Sequence, residues 1–150
     1  MSMRALLLGL GFLLAPHSHP LQEPDPTGLL GAARSLRCQF PSGGAIFLTD
    51  TNPRYRPAQG VQGVFDAIDR RNRRARVIGG TGAGDVQVIV APEALTFIEL
   101  SPTGYPQVTV VFAKFRPRTR ELLASDSRNT IASTGQVLVE QYYGSCRVLE

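Results

Sequence analysis

Tryptophan is absent from this 150-residue chain, and histidine occurs only twice, as His17 and His19 close to the N-terminus. A domain that begins after this region has no imidazole, which excludes Ser-His-Asp and Cys-His catalysis and histidine-dependent metal sites. Lysine occurs once, as Lys114, so arginine supplies nearly all of the positive charge. The net charge of +4 is too small an excess to indicate a nucleic-acid-binding surface. We therefore expect no metal, no cofactor and no nucleic-acid partner.

The N-terminus has the pattern of a secretory signal peptide. Residues 1–4 carry a positive charge, residues 5–15 form an unbroken apolar run, and residues 16–20 interrupt it with two prolines. The run matches the roughly 7–15 apolar residues of a signal peptide and is shorter than the about 20 of a membrane span. A buried N-terminal helix is the alternative. We predict a signal peptide over 1–20, a flexible segment or short helix over 21–35, and a periplasmic or secreted protein without a membrane anchor.

The chain has two cysteines, Cys38 and Cys146, and an oxidising compartment favours their pairing. Their sequence separation is 108 residues, for which the chain-entropy model gives roughly 4–5 kcal/mol as an upper estimate. The spacing matches no zinc motif and no C-x-x-C redox pair, and two free buried thiols are the remaining alternative. We predict a structural disulfide.

Residues 36–150 show the pattern of an all-β domain. Apolar runs of about five to eight residues alternate with turn sequences, which favours an antiparallel meander. Turns are predicted at 41–44, 70–74, 92–93 and 101–106, and a further strand at 129–132 is left open. Val108, Val110 and Phe112 share the bulkier apolar face of their strand. We predict about eight to ten short strands in a closed or nearly closed barrel, with a β-sandwich as the alternative.

A barrel would make the cysteines a topological constraint. The first and last strands of a barrel are neighbours, because closure removes the sheet edges. Cys38 falls in the first predicted strand and Cys146 in the last. Since a disulfide needs Cα atoms within about 7 Å, the bond would join these two strands and close the domain.

Three groups of arginines lie in predicted loops: Arg70, Arg71, Arg73, Arg74 and Arg76; Arg116, Arg118 and Arg120; and Arg54 with Arg56. If these loops converge at one end of a barrel, they form a rim that attracts phosphate, sulfate or acidic glycans. The alternative is a solvated edge that discourages edge-to-edge association.

Carboxylates are the remaining candidates for catalysis. Asp66 with Asp69, and Glu99, are candidates for general acid–base work, although their spacing is not diagnostic. Glu99 shares a strand face with Leu95 and Phe97, so we expect it to point inward and to pair with an arginine. A structural ion pair is favoured over catalysis.

Five short segments carry a resemblance to other proteins: Phe65-x-x-Ile68-Asp69, Ala75-Arg76-x-Ile78-Gly79, Leu95-Thr96-Phe97-Ile98-Glu99, Val111-Phe112-Ala113 and Gln141-Tyr142-Tyr143-Gly144-x-Cys146. They resemble a group of small secreted bacterial proteins of unknown function, over about residues 65–147. The resemblance implies a periplasmic or secreted β-domain and brings no catalytic residues. The architecture is also similar to lipocalin-type barrels, although their early Gly-x-Trp motif cannot exist in a chain without tryptophan.

Together these features predict an exported, non-enzymatic, monomeric domain that binds a small ligand or a protein partner of the bacterial envelope. The alternative is an inhibitor-like protein that presents an arginine-rich loop to an acidic partner. A carboxylate-dependent glycan hydrolase that uses Glu99 and Asp69 is the third hypothesis.

Overall fold

The structure, a computed structural model, describes residues 24–48, 52–80 and 82–149, so the predicted signal peptide over 1–20 lies outside the described residues. The elements are α1 (Pro26–Ala32), β1 (Ser35–Leu48), β2 (Arg54–Ala58), β3 (Val61–Asp69), β4 (Arg74–Gly79), β5 (Gly82–Ala91), β6 (Ala94–Leu100), β7 (Pro106–Phe115), β8 (Leu122–Ile131) and β9 (Val137–Leu149). Within the described ranges, no helix is long and apolar enough to cross a membrane.

Eight of the strands form one closed antiparallel barrel, which confirms the predicted fold class and excludes the sandwich. From β3 to β9 each strand pairs with the next in sequence, and β1 joins β3 to β9. β2 is the additional strand and pairs only with β1. An eight-stranded antiparallel barrel is consistent with the predicted lipocalin-like architecture.

The predicted disulfide is confirmed. Cys38 on β1 and Cys146 on β9 are directly opposite in the ladder that closes the barrel, with Cα atoms 4.0 Å apart. Both side chains are fully buried inside the barrel. The bond therefore links the first and last strands of the barrel at the seam.

Residues 41–44, predicted as a hairpin turn, lie within the continuous strand β1 instead. The β1–β9 register shifts between Gln39 and Ser42, where two residues of β1 oppose the single residue Gly144 of β9. A Cβ atom on Gly144 would lie 1.9 Å from the Gln39 carbonyl oxygen, so only glycine allows the two backbones to approach this closely. The chain consequently bends at a bulge and continues as a strand.

The second half of β1 projects beyond the barrel. β2, which the sequence reading placed in a loop, pairs with residues 43–47 of β1. We call the projecting sheet the extension; it consists of β2, residues 43–48 of β1, residues 128–131 of β8 and residues 137–142 of β9. Residues 129–131 are the end of β8 and not a separate strand.

The two ends of the barrel differ. At the closed end, β3 turns into β4, β5 into β6 and β7 into β8. Helix α1 packs there: the Asp25 side chain accepts hydrogen bonds from the first turn, and Leu30 and Ala33 are buried. Arg70 donates to the Ala33 carbonyl oxygen at 2.9 Å and also to that of Leu30. Within the segment predicted as flexible or as a short helix, the structure therefore has a short helix, and Leu30 and Ala33 belong to the hydrophobic core.

Apolar side chains fill the barrel from the closed end. The buried set includes Leu36, Ile68, Val86, Val88, Leu95, Phe97, Val111, Leu122 and Ala124. On β7, Thr109 and Val111 point inward, because Val111 is in register with the luminal residues Leu95 and Ala124. The bulkier face of this strand, with Val108, Val110 and Phe112, points outward. The rings of Phe65 and Phe97 stack at 4.0 Å. Above this layer the interior becomes polar.

Candidate functional site

The end opposite α1, which we call the mouth, opens into a cavity of about 380 Å³. One wall is mainly apolar and contains Phe40, Val61, Phe65 and Val77. The other wall is polar and contains Glu99, Gln107, Thr109, Asp126 and Arg128. Gln62 and the glycines Gly63, Gly79, Gly80 and Gly82 complete the lining.

Strand register arranges the polar wall in two rows. Directly opposed residues of an antiparallel pair point to the same face. The outer row consists of successive partners on β6 to β9: Glu99, Gln107, Arg128 and Glu140. The inner row is one step deeper: Phe97, Thr109, Asp126 and Tyr142. The mouth thus carries charged groups directly above a buried carboxylate.

Asp126 is held on both carboxylate oxygens. Thr109 Oγ1 donates to Oδ2 at 2.7 Å, and Arg128 Nε donates to Oδ1 at 2.7 Å. Asp126 is only 4% exposed, so these two hydrogen bonds stabilise its ionised carboxylate in place of water. The ion pair also fixes the Nε edge of the Arg128 guanidinium, which we call its inner edge.

Arg128 keeps its terminal nitrogens free for other contacts. Among the described residues they have no hydrogen-bond partner, and the guanidinium carbon lies 5.4 Å from the centroid of the Tyr142 ring. The Tyr142 hydroxyl donates to Glu140 Oε1 at 2.9 Å. Burial, followed by this contact with Glu140, raises the pKa of Tyr142 to about 12. Tyr142 is therefore a neutral platform that positions Arg128.

Glu99 is half-buried on the same wall and makes no hydrogen bond or ion pair with any described residue. Burial raises the pKa of its carboxyl group; Arg128 lowers that pKa and Asp126 raises it. Glu99 thus faces inward without the predicted arginine partner. The reason is geometric, because Arg128 lies two strands away in the row, at about 10 Å for ordinary strand spacing, and is already bonded to Asp126.

The outer row continues into the extension. Glu140 pairs with Ala45, and Ala45 pairs with Arg56 on β2. These residues, with Phe47, line a groove that shares Val61 and Arg128 with the mouth cavity. The guanidinium carbon of Arg56 lies 5.4 Å from the centroid of the Phe47 ring. The groove and the cavity therefore form one continuous concave surface.

The three arginine groups do not all converge at one end of the barrel. The hairpin with Arg71, Arg73 and Arg74 and the loop with Arg116 and Arg118 are all exposed at the closed end, on either side of α1. Arg70, in the same hairpin, has its guanidinium hydrogen-bonded to the α1 carbonyl groups. In contrast, Arg54 and Arg56 lie on β2 at the mouth end.

The candidate catalytic carboxylates do not form one site, because Glu99 lies far from Asp66 and Asp69. Asp66 forms an ion pair with Arg76 at 2.6 Å, and Asp69 accepts hydrogen bonds from Asn72. These contacts lower the pKa of both aspartates. β3 carries Asp66 and Asp69 toward the closed end, whereas Glu99 lies at the mouth. The carboxylate that shares the cavity with Glu99 is Asp126.

Sequence reasoning missed Asp126 and Arg128. The sequence pattern that could have identified them is an alternation along β8, in which every second residue points inward: Leu122, Ala124, Asp126 and Arg128. Within the described part of the chain, no group of three or more His, Cys, Asp or Glu side chains is arranged to hold a metal ion. Comparison with known proteins found no matching family model, no matching curated protein and no matching solved structure.

Proposed function

We propose that this protein is an exported, non-enzymatic binding domain that holds a small ligand in the mouth of its barrel. The observation that carries the proposal is a concave cavity whose charged groups keep hydrogen-bonding positions unfilled by the described residues. The Glu99 carboxylate makes no hydrogen bond or ion pair with any described residue, and Arg128, whose terminal nitrogens have no hydrogen-bond partner there, lines the same cavity. Known ligand pockets combine a mainly apolar lining with a few such convergent polar groups.

The rest of the molecule is consistent with a rigid binding scaffold. The volume of about 380 Å³ lies at the small end of the range of ligand pockets, which is roughly 300–1,000 Å³. The closed end is filled and covered by α1, so a ligand would enter from the mouth alone. The disulfide is compatible with an oxidising, exported location. Both cysteines are consumed by that bond and are not available as nucleophiles.

A single substitution can close the cavity. Gly63 lines it, and a Cβ atom there would make only ordinary contacts, the nearest at 3.6 Å from the Ile78 carbonyl oxygen. A leucine at this position would project into the lumen, because Gly63 is in register with the inward Cys38. Val64→Leu is the matched control, since Val64 is the next residue of β3 and belongs to the opposite face.

The experiment measures binding of four probes by thermal shift and saturation-transfer NMR: spermidine, octanoate, glucose and leucine. At least one should bind the wild-type protein and the Val64→Leu variant, and Gly63→Leu should lose that binding. If none of the probes binds, or if Gly63→Leu binds them as the wild type does, the mouth is not the ligand site.

The inhibitor-like function remains a second candidate, supported by the exposed hairpin with Arg71, Arg73 and Arg74. This surface lies at the opposite end from the mouth, so the two functions can be separated. Replacing the three arginines with glutamate should abolish capture of a hydrolase from a periplasmic extract while leaving probe binding at the mouth unchanged. Capture that survives the charge reversal would exclude this function.

A further inference from the structure

We infer that the mouth binds a small zwitterion of the amino-acid type, with its ammonium group at Glu99 and its carboxylate at Arg128. The inference rests on the proposed function and specifies its ligand. It follows from the sign and placement of the charged groups around the cavity and from the apolar wall that faces them.

The charges of the outer row alternate in sign. Going around the mouth, the row carries the carboxylate of Glu99, the guanidinium of Arg128, the carboxylate of Glu140 and the guanidinium of Arg56. Glu140 accepts from the Tyr142 hydroxyl, and Asp126 occupies one edge of Arg128. Since Glu140 and Arg56 line the adjoining groove, Glu99 and the outer edge of Arg128 are the two charged groups of the mouth cavity left for a ligand.

These two groups do not contact each other. No nitrogen–oxygen contact within 4.0 Å joins Glu99 to Arg128, and Gln107 lies between them in the row. A charged group that is partly removed from water gains most from a partner of opposite sign. A ligand that carries both signs supplies a partner to each group and bridges the gap between them.

A ligand with a single charge would fit less well. An anion placed at Arg128 meets the carboxylates of Glu99 and Asp126 on the same wall. A cation placed at Glu99 gains a partner there but leaves the terminal nitrogens of Arg128 without one, because Asp126 bonds only the Nε edge of that guanidinium. A zwitterion supplies a partner to both groups, which is the electrostatic basis for its selection.

The opposite wall suits an apolar side chain. Phe40, Val61, Phe65 and Val77 face the charged row across the cavity, and Gly63 leaves open space between them. Burial of a leucine side chain contributes roughly 1.5–3 kcal/mol relative to exposure. A free amino acid with an apolar side chain, or a short zwitterionic peptide, combines the three required features.

The test uses leucine and four relatives that each remove or alter one feature: leucinamide has only the positive charge, N-acetyl-leucine only the negative charge, glycine no side chain, and leucyl-leucine more widely separated charges. Affinities are measured by isothermal titration calorimetry on the disulfide-bonded protein. We expect leucine or leucyl-leucine to bind at least tenfold more tightly than leucinamide, N-acetyl-leucine and glycine. The better of the two zwitterions then distinguishes an amino acid from a peptide as the ligand.

Two substitutions assign each charge to its partner. Glu99→Gln should weaken leucine and leucinamide at least tenfold and leave N-acetyl-leucine unchanged, and Arg128→Lys should weaken the carboxylate-bearing ligands selectively. Glu99 makes no hydrogen bond in the fold, so its amide variant retains the native structure. Glu93→Gln, an exposed position in the turn at the closed end, is the matched control and should have no effect.

The inference is overturned if leucinamide or N-acetyl-leucine binds as tightly as leucine, or if Glu99→Gln leaves leucine affinity unchanged. Its failure is distinguishable from that of the proposed function. If octanoate, glucose or spermidine binds in a manner that Gly63→Leu blocks while leucine does not bind, the mouth is a ligand site for another chemical class. If no probe of any class binds, both proposals fail.

Discussion

Gly144 should be the least replaceable residue of the barrel seam, and Gly144→Ala should strongly destabilise the fold. The added Cβ atom would lie 1.9 Å from the Gln39 carbonyl oxygen, 2.8 Å from its carbonyl carbon and 2.8 Å from the Phe40 Cα atom. All three are backbone atoms, so no side-chain rotation relieves the contact. The two closing strands must move apart by more than about 1 Å to restore an ordinary carbon–oxygen contact of about 3.3 Å.

The cost follows from the rigidity of this seam. Overpacking a core ordinarily costs about 1–3 kcal/mol, and occasionally more, when neighbours can shift. Here the same two strands are tied by the buried disulfide two residues along β9 and by the longest ladder of the barrel. We therefore expect Gly144→Ala to lower the free energy of unfolding by about 3 kcal/mol or more.

Urea unfolding followed by circular dichroism measures the effect. Gly31→Ala is the control, because Gly31 lies on α1 and a Cβ atom there would meet no atom within 4 Å apart from its chain neighbours and the backbone of the helix itself. It should stabilise the protein by roughly 0.5–1 kcal/mol through helix propensity. A Gly144→Ala variant within about 0.5 kcal/mol of the wild type, the range of a neutral surface change, would refute the assigned bulge and the strand register around it.

Three further outcomes are expected. Replacing Cys38 and Cys146 together by alanine should lower the free energy of unfolding by up to about 4–5 kcal/mol, because the bond closes a long loop. Urea unfolding of the oxidised and double-alanine proteins measures this difference. An unchanged midpoint would show that the seam does not need the bond. Thr109→Val should lower the free energy of unfolding by about 1–3 kcal/mol, because it removes one of the two hydrogen bonds to the buried carboxylate of Asp126. Thr96→Val, on the outer face of β6, is the control and should be as stable as the wild type. Glu99→Gln should raise the melting temperature at pH 7. Because the pKa of Glu99 is raised in the fold, the native state favours the neutral carboxyl group, and the ionised form costs stability as the pH rises above the ordinary value of 4.5. The difference between variant and wild type should vanish below about pH 4, where Glu99 is protonated in both states, and a variant less stable than wild type at pH 7 would contradict the assigned burial.

Local sequence patterns predicted much of the barrel but failed at β1. Strands β3 to β7 follow short apolar runs separated by polar turns, and their bounds agree with the pattern within a few residues. Residues 41–44 also have turn composition, yet they continue a strand. Their conformation depends on Gly144, which lies about a hundred residues away in the chain and opposite them in space. No local window contains both partners.

The candidate site was only partly predictable. Period-two alternation placed Glu99 on the face of Leu95 and Phe97, and the structure places all three toward the interior. The same alternation on β7 showed which residues share a face but not which face is inside, because Thr109 and Val111 are less bulky than the outward set. The residues around Asp126 and Arg128 are polar, as in a loop, and the inward position of both side chains follows from the pairing of β8 with β7 and β9.

Strand periodicity and the number of cysteines can be read directly from the amino-acid sequence, so they specify an all-β domain and the one available disulfide. The surroundings of the cavity depend on tertiary contacts. Register between strands distant in the chain placed Glu99 and Arg128 in one row, and the pairing of Arg128 with Asp126 left Glu99 without its expected partner. The arginine groups were equally visible in the sequence, but the direction of each strand put the two larger ones at the closed end and Arg54 and Arg56 near the mouth. The amino-acid sequence gives the type of each side chain, whereas strand register determines which side chains are neighbours across the barrel.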